Sequence, residues 1–360
     1  METKSADPGG RRPFRVIGAV LLGLLVAACQ AGLRADDIDE NLKVFSTELE
    51  ERFLAPAGWE WGAFVNADGA RIRYGHAAPA EGAIATVVLV PGAGEFGEKY
   101  FEATRNLLSR GYAVWQMDWR GQGGSERYYD DPQRRGAAGY DRDVADLHQF
   151  VTEIVRPPRD RPVILLAHSK GGHIGLRYLH DHPATFDFAA MTAPMLNINT
   201  GDTPRPMAKV LATSGDALGL GVRYVPGQGP WAPEPETVED SDVSQDPVRY
   251  SVSRTWQIRN PELRLGGMSY RWLANAFRSI KLLNDSVYLG AIETPVLIVM
   301  AGQEELVDLP AQYRACFLMH DCTGVTIEGA KHEIWMERDE YRDVWLAAFD
   351  KFAAERGTAR

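Results

Sequence analysis

The residues from Val163 to Gly172 read Val-Ile-Leu-Leu-Ala-His-Ser-Lys-Gly-Gly. An apolar strand runs into Ser169 and then into a helix, with small residues on both sides of the Ser. A sharp strand-to-helix turn of this kind presents a hydroxyl as a nucleophile. The small-x-Ser-x-Gly pattern alone also fits a surface Ser that starts a helix. A hydroxyl needs a base, and the base needs an orienting acid. His332 is the only His after the last candidate strand, and it precedes the last candidate helix. Glu304, Glu305 and Asp308 follow the candidate strand Val296–Met300. Ser, acid and His thus occur in chain order, each just beyond a strand. An oxyanion would be held by backbone N–H groups. One is that of Lys170, and the other is assigned to Ala93 in the Gly-rich loop Pro91–Glu95.

These positions require a scaffold of strands that end on one edge. Candidate strands are Ala85–Val90, Tyr112–Met117, Val163–Ala167, Phe188–Thr192, Val296–Met300 and Val325–Ile327. Candidate helices are Tyr100–Arg110, Tyr140–Val155, Gly171–His182, Ala311–Leu318 and Glu340–Glu355. Short apolar strands alternating with helices predict a mostly parallel sheet with helices on both faces. Asn66-Ala67-Asp68-Gly69 predicts a hairpin turn between Trp61–Val65 and Arg71–Gly75. The alternation stops near Leu196 and resumes near Ala291. The segment between has helix starts at Asp246-Pro247 and Ser269. Trp272, Leu273, Ala276, Phe277, Ile280 and Leu283 predict one apolar helix face.

The chain has 360 residues, 45% of them hydrophobic, and a formal net charge of -10. That composition excludes a disordered chain, and the acidity argues against a nucleic-acid partner. Arg11, Arg12 and Arg15 precede an uncharged run from Val16 to Ala28, which ends at Cys29. The run falls short of the ~20 residues of a membrane-spanning helix and reads as a secretory signal. Val26-Ala27-Ala28-Cys29 resembles the bacterial lipobox, which implies acylation of Cys29. Arg11-Arg12-Pro13-Phe14 leaves a twin-arginine export route open. The organisation expected is a signal peptide over 1–28 and a tether with a helix at Asp36–Leu54 over 29–55. A core follows over 56–196 and 289–360, with a helical cap over 197–288. The expected location is the periplasm-facing bacterial cell envelope, through an acyl anchor to the membrane. With Cys29 acylated, Cys316 and Cys322 remain as an even pair in an oxidising compartment, which predicts a disulfide. His180 and His182 do not have metal-ligand spacing, so neither a metal nor a cofactor is expected.

Several motifs resemble one family. They are Gly92-Ala93-Gly94-Glu95, Asp118-Trp119-Arg120-Gly121-Gln122-Gly123-Gly124-Ser125, the Ser169 turn and Gly329-Ala330-Lys331-His332-Glu333. Together they resemble the monoacylglycerol-lipase and lysophospholipase branch of the α/β-hydrolases. Asp246–Tyr250 and Asn260–Gly267, followed by Trp272-Leu273, resemble the cap of bacterial lysophospholipases. The resemblance implies an α/β-hydrolase fold and a serine hydrolase acting on a carboxylic ester of a single-chain lipid. A lysophospholipid or monoacylglycerol would be the substrate. It also maps the catalytic acid to Glu304, with Glu305 as runner-up. Relatives mostly have Asp at that position, and many have His where this chain has Pro91.

Two other readings compete. Gly92-Ala93-Gly94-Glu95-Phe96-Gly97 has the outward form of a dinucleotide fingerprint, with Asp118 ending the next strand. Glu95 would then put a carboxylate beside a pyrophosphate. A non-catalytic lipoprotein on the same fold would be expected to lack a triad member, and none is missing. A lipid substrate needs apolar lining over Ser169, for which Trp231, Trp256, Trp272, Leu273 and Phe277 are candidates. Arg249, Arg254, Arg259, Arg264, Arg271 and Arg278 lie in the same segment, and one or two are expected to hold a lipid phosphate.

Overall fold

The computed structural model describes residues 48–232, 238 and 241–356. The signal sequence, Cys29 and most of the expected helix Asp36–Leu54 lie outside them. The end of that helix is a single 3-10 turn, Glu51–Phe53. Glu50 and Leu54 are extended on either side of it, so no α-helix reaches Leu54.

Eight strands form one sheet. They are β1 (Glu60–Val65), β2 (Arg71–Ala77), β3 (Ala85–Val90), β4 (Tyr112–Met117), β5 (Val163–His168), β6 (Phe188–Thr192), β7 (Val296–Ala301) and β8 (Cys322–Ile327). Their order across the sheet is β1-β2-β4-β3-β5-β6-β7-β8. The β1–β2 and β2–β4 pairs are antiparallel and every other pair is parallel. The expected hairpin is present, and Asn66 accepts from Asp68 N and Ala70 N across its turn.

Strands β3, β5, β6 and β7 are buried along their whole length. Alternate side chains of such a strand point to opposite faces. Val88, Val90, Leu165, Ala167, Ile298 and Met300 accordingly join one core cluster. Val87, Leu89, Ile164, Leu166, Leu297 and Val299 join the other. Helix α1 (Phe101–Ser109) covers the second face with Ala103 and Leu107. Two more helices, α2 (Tyr140–Gln149) and α3 (Lys170–Asp181), cover the first face with Leu147, Ile174 and Leu176. The expected helix over Tyr140–Val155 is continuous but widens to a π-helical turn over Phe150–Val155.

Between β6 and β7 the described residues hold α4 (Arg205–Gly215), α5 (Pro247–Arg259), α6 (Tyr270–Ile280) and the short α7 (Ser286–Gly290), and no strand. Asp246 caps α5 by accepting from Val248 N and Arg249 N. Ser269 caps α6 by accepting from Trp272 N. The apolar residues of α6 do not form one face. Trp272, Ala276, Ile280 and Leu283 recur at four- and three-residue steps and enter the main core. Phe277 points elsewhere, into a small core with Ala208, Ala212 and Ala274, and Leu273 packs at its border.

After β7 come α8 (Leu309–Leu318), β8 and finally α9 (Asp339–Ala354). Trp345, Phe349 and Phe352 of α9 complete the second core face. Strand β8 begins three residues earlier than the apolar run suggests. Its first residues, Cys322, Thr323 and Gly324, form the sheet edge and need no apolar character. Cys316 of α8 and Cys322 of β8 are joined by a disulfide. Closing a loop of sequence separation 6 contributes about 2 kcal/mol by the chain-entropy relation. Replacing both Cys316 and Cys322 by Ser should lower the unfolding free energy by about that amount, read from urea denaturation. Free Cys316 and Cys322 thiols in the denatured, unreduced protein would contradict the bridge.

Candidate active site

Ser169 occupies the turn between β5 and α3 with φ 49 and ψ -113. A non-glycine residue is strained there and persists only where its surroundings hold it. Three backbone hydrogen bonds do so. Ser169 N donates to Thr192 O at 3.1 Å, and Ser169 O accepts from His173 N at 3.1 Å and Met195 N at 2.9 Å. The glycines after it are steric requirements. A Cβ at Gly171 would stand 2.5 Å from Val90 O and 2.7 Å from Pro91 O. One at Gly172 would stand 2.7 Å from the Pro194 Cβ. Helix α3 thereby meets the end of β3 backbone to backbone.

Glu304 and His332 leave the ends of β7 and β8, and a similar close approach joins them. A Cβ at Gly302 would collide with the Glu328 backbone. Gln303 N donates to Ala330 O at 2.9 Å. The Glu304 carboxylate is fully buried. Its Oε1 accepts from Leu306 N at 2.9 Å and Val307 N at 3.1 Å. Its Oε2 accepts from His332 Nδ1 at 2.7 Å. That bond leaves His332 Nε2 as the basic nitrogen. Glu305 is exposed, and Asp308 caps α8 and pairs with Arg205 at 2.7 Å, so neither reaches His332. Burial opposes the charge on His332, but the hydrogen bond and charge of Glu304, with Glu333 and Glu95 beyond, raise its pKa. Burial likewise opposes the charge on Glu304, and His332 with the two amides brings its pKa below the ordinary range.

The loop Pro91–Glu95 is tied down at several of its backbone groups. Gly92 N donates to the Glu95 carboxylate, and Gly94 N donates to Gln122 Oε1 at 3.2 Å. Gln122 Nε2 donates to Gly92 O and Glu95 O, both at 2.8 Å. Trp119 Nε1 donates to Pro91 O at 2.7 Å. Among the described residues the Ala93 N–H between these amides has no acceptor, and neither has the Lys170 N–H. The buried Glu95 carboxylate takes the Gly92 N–H and stands where a pyrophosphate would need the loop amides, which argues against the dinucleotide reading. Gln122 and Trp119 hold this loop, yet nothing in their spacing announces it; only the family motif contains them.

Behind the loop lies a buried charge cluster. Lys99 Nζ stands 2.5 Å from Glu95 and 2.6 Å from Glu333. Tyr100 donates to Glu95 at 2.6 Å. Burial favours the neutral form of Glu95, but Lys99 and His168 hold its pKa well below the usual range. His168 packs against the His332 ring at 4.8 Å between centroids. Burial brings its pKa down to about 4, so it is neutral beside His332 at physiological pH.

The candidate lining residues fare unequally. Trp231 borders a cavity of about 260 Å³ with Ala232, Val243, Tyr250, Ser253, Arg254, Gln257 and Glu333, the residue after His332. Trp256 packs edge-on against Phe101, at 5.9 Å between centroids. Trp272 and Phe277 are core residues of the main and small clusters, which places their packing ahead of any lining role. A larger cavity of about 470 Å³ lies around His180, Lys281 and Tyr288, at the opposite end of α3 from Ser169.

Arg249 is buried among Glu102, Asp246 and Asp339. Arg271 and Arg278 pair with Asp216. Arg264 rests on Trp231 at 4.6 Å, and Arg259 is exposed. Of the six arginines, one or two of which are expected to hold a phosphate, Arg254 alone borders the 260 Å³ cavity.

Residues 81–339 match the model of the Hydrolase_4 family, described as serine aminopeptidase, S33. The chain belongs to this family. It is 33% identical over 276 residues to lysophospholipase L2 of Escherichia coli (strain K12), covering 74% of this chain and 79% of that protein. It is 28% identical to the probable lysophospholipase L2 of Haemophilus influenzae, covering 78% and 88%. A soluble variant of the monoglyceride lipase of Saccharomyces cerevisiae, solved with a substrate analogue, superposes with a TM-score of 0.65 at 17% identity. That likeness covers 82% of this chain and 94% of the other, and shows the α/β-hydrolase fold. Hydrolases of this family act through a base that must be unprotonated. Activity should therefore fall as pH drops through the pKa of His332, which lies above that of an ordinary His. Glu304→Gln removes the hydrogen-bonded charge that raises this pKa, so the acid limb of a kcat/KM profile should move to lower pH. An unmoved limb in Glu304→Gln would mean that another group titrates.

Proposed function

We propose that the chain is a lysophospholipase that cleaves the acyl ester through an acyl-enzyme on Ser169. The observation that carries this reading is the 2.7 Å bond from His332 Nδ1 to the buried Glu304, beyond neighbouring strand ends from the strained Ser169 turn. In this reading His332 Nε2 removes the Ser169 proton as the hydroxyl attacks the ester carbonyl, and then protonates the leaving glycerol oxygen. Water attacks the acyl-enzyme with the same base. The Ala93 and Lys170 amides hold the oxyanion in both halves. Glu304 fixes the tautomer of His332 and stabilises its charged form. The substrate class rests on the likeness to lysophospholipase L2, which extends through the cap. Monoacylglycerol hydrolysis is the second reading, favoured by the apolar segment α4 to Val222, where Met207, Val210, Leu211 and Leu218 are exposed.

The same reading places the enzyme in the bacterial envelope, facing the periplasm and held by acyl chains on Cys29. Its support is the charge-free run before Cys29 and the disulfide, a bond that persists in oxidising compartments.

A hydrolysis panel of lysophospholipids, monoacylglycerols, short-chain esters and aminoacyl amides of matched acyl group tests the assignment. Ser169→Ala and His332→Ala should each lose ~10⁴- to 10⁶-fold in kcat and abolish fluorophosphonate labelling. Glu304→Gln should lose up to ~10⁴-fold and Glu305→Gln little. Retained activity in Ser169→Ala, or aminoacyl amides as the best substrates, would overturn the reading.

A further inference from the structure

Arg135 lies in the loop between β4 and α2, where it meets the cap. Its backbone forms a bridge with Met268, and its carbonyl accepts from Ser269 N at 3.2 Å. Its guanidinium is pressed against the oxyanion loop, since a Cβ at Gly94 would stand 2.7 Å from Nη2. Trp272 lies on its other side, 5.9 Å from ring centroid to guanidinium carbon.

What distinguishes Arg135 is the missing counter-charge. Among the described residues its guanidinium has no ion pair and no hydrogen bond, and its Nε is buried without an acceptor. The hydroxyl of Tyr140, within its electrostatic reach, is also buried and unpartnered. Three neighbouring cations have carboxylate partners. Arg134 meets Asp131 at 3.1 Å, and Arg120 meets Asp146 at 2.6 Å. Lys170 stands 3.8 Å from Asp143. Glu95, the carboxylate of the adjacent loop, is occupied by Gly92 N, Lys99 and Tyr100. Burial lowers the pKa of Arg135 to about 10, which leaves it charged at neutral pH. Arg135 is half-buried, and a partly desolvated guanidinium without a partner gains from an anion supplied by a ligand.

The position suits one part of the substrate. Gly94 follows Ala93, so the guanidinium lies against the loop residue next to the oxyanion donor. In a lysophospholipid six bonds separate the ester carbonyl carbon from phosphorus. At 3.8 Å per three bonds, this is roughly 8 Å when extended. A phosphate oxygen can reach the guanidinium while the ester oxygen sits at Ala93 N. A guanidinium also offers the paired donors that phosphate oxygens accept. An aminopeptidase substrate would instead bring an ammonium group against this charge.

We propose that Arg135 binds the head-group phosphate of a lysophospholipid while the Ala93 and Lys170 amides hold its ester oxygen. The proposal rests on the lysophospholipase reading of the Ser169 site. It replaces the cap arginines as the source of the charge. Arg254, which borders the 260 Å³ cavity, already lies on the Tyr250 ring at 4.6 Å.

The test compares wild type, Arg135→Gln, Arg135→Lys and Arg254→Gln. One readout is the ratio of kcat/KM for a lysophosphatidylcholine to that for a monoacylglycerol of equal chain length. The second is competitive inhibition of p-nitrophenyl butyrate hydrolysis by sn-glycerol 3-phosphate. Arg135→Gln should lower the ratio about 10- to 100-fold, mainly through KM for the lysophospholipid, and abolish the inhibition. Arg135→Lys should recover part of both. An unchanged ratio in Arg135→Gln, equal losses on both lipids, or the loss appearing in Arg254→Gln instead would overturn the proposal. If wild type cleaves monoacylglycerol and not lysophosphatidylcholine, the lysophospholipase reading fails. In that case inhibition by glycerol phosphate that Arg135→Gln removes would still support the phosphate site, and its absence would overturn that too.

Discussion

The contact on which the site depends is the backbone approach of α3 to the end of β3. Gly171 lies against the Val90 and Pro91 carbonyls with no room for a Cβ. This contact puts the Lys170 amide beside the Pro91–Glu95 loop, so that two donors from distant parts of the chain can serve one oxygen. It also forces the chain to turn within one residue at the end of β5, and the left-handed Ser169 conformation is the result. The cost of that conformation is of order 1–3 kcal/mol and falls on a residue whose hydrogen bonds to Thr192, His173 and Met195 over-determine it. Preorganisation of this sort lets donors act without rearranging when charge develops.

Behind the reacting edge the charges are arranged to leave one basic nitrogen. Glu95 and Glu333 share Lys99, so two carboxylates near His332 are neutralised in part by one buried cation. His168 is neutral and does not repel a proton arriving on its neighbour. Among the described residues Glu304 is the only carboxylate bonded to His332, and two amides orient it from the other side. The imidazolium formed during the reaction therefore meets a fixed acceptor, while the loop that supplies Ala93 N is locked by Glu95 and Gln122.

Most of the sheet was legible because strands buried on both faces are continuous apolar runs. Ala85–Val90, Tyr112–Met117 and Phe188–Thr192 match the observed bounds. Edge strand β8 was cut short because Cys322, Thr323 and Gly324 have no reason to be apolar there. The Ser, acid and His positions were legible from their order after strands, yet spacing left Glu304, Glu305 and Asp308 open. Side-chain direction separates them, and that direction depends on the close approach of Gly302 to Glu328. Helix α6 misled because its two apolar stripes are adjacent in sequence and serve different cores. Arg135 was not legible at all. Nothing in Arg134-Arg135 says which guanidinium is neutralised and which faces the oxyanion loop.

The attachment of the cap is asymmetric. On the α5 side Arg249 binds Glu102 of α1 at 2.8 Å and Asp339 of α9 at 2.5 Å, with the Glu337 carbonyl at 2.9 Å. Lifting α5 would break this buried network at once, although Glu102 would keep Arg52 and Arg342 as partners. On the other side the cap meets the core loop through backbone bonds, Gly266 N to Gln133 O at 2.7 Å and Ser269 N to Arg135 O at 3.2 Å. Those bonds can be exchanged for water at small net cost, about 1 kcal/mol each. This side is also held by apolar packing, because Trp272, Ala276 and Ile280 of α6 enter the main core and Ser279 bonds His173 and Arg177 of α3. The proposed phosphate site at Arg135 therefore lies where the cap backbone joins the core loop, beside the oxyanion loop that Gly94 belongs to.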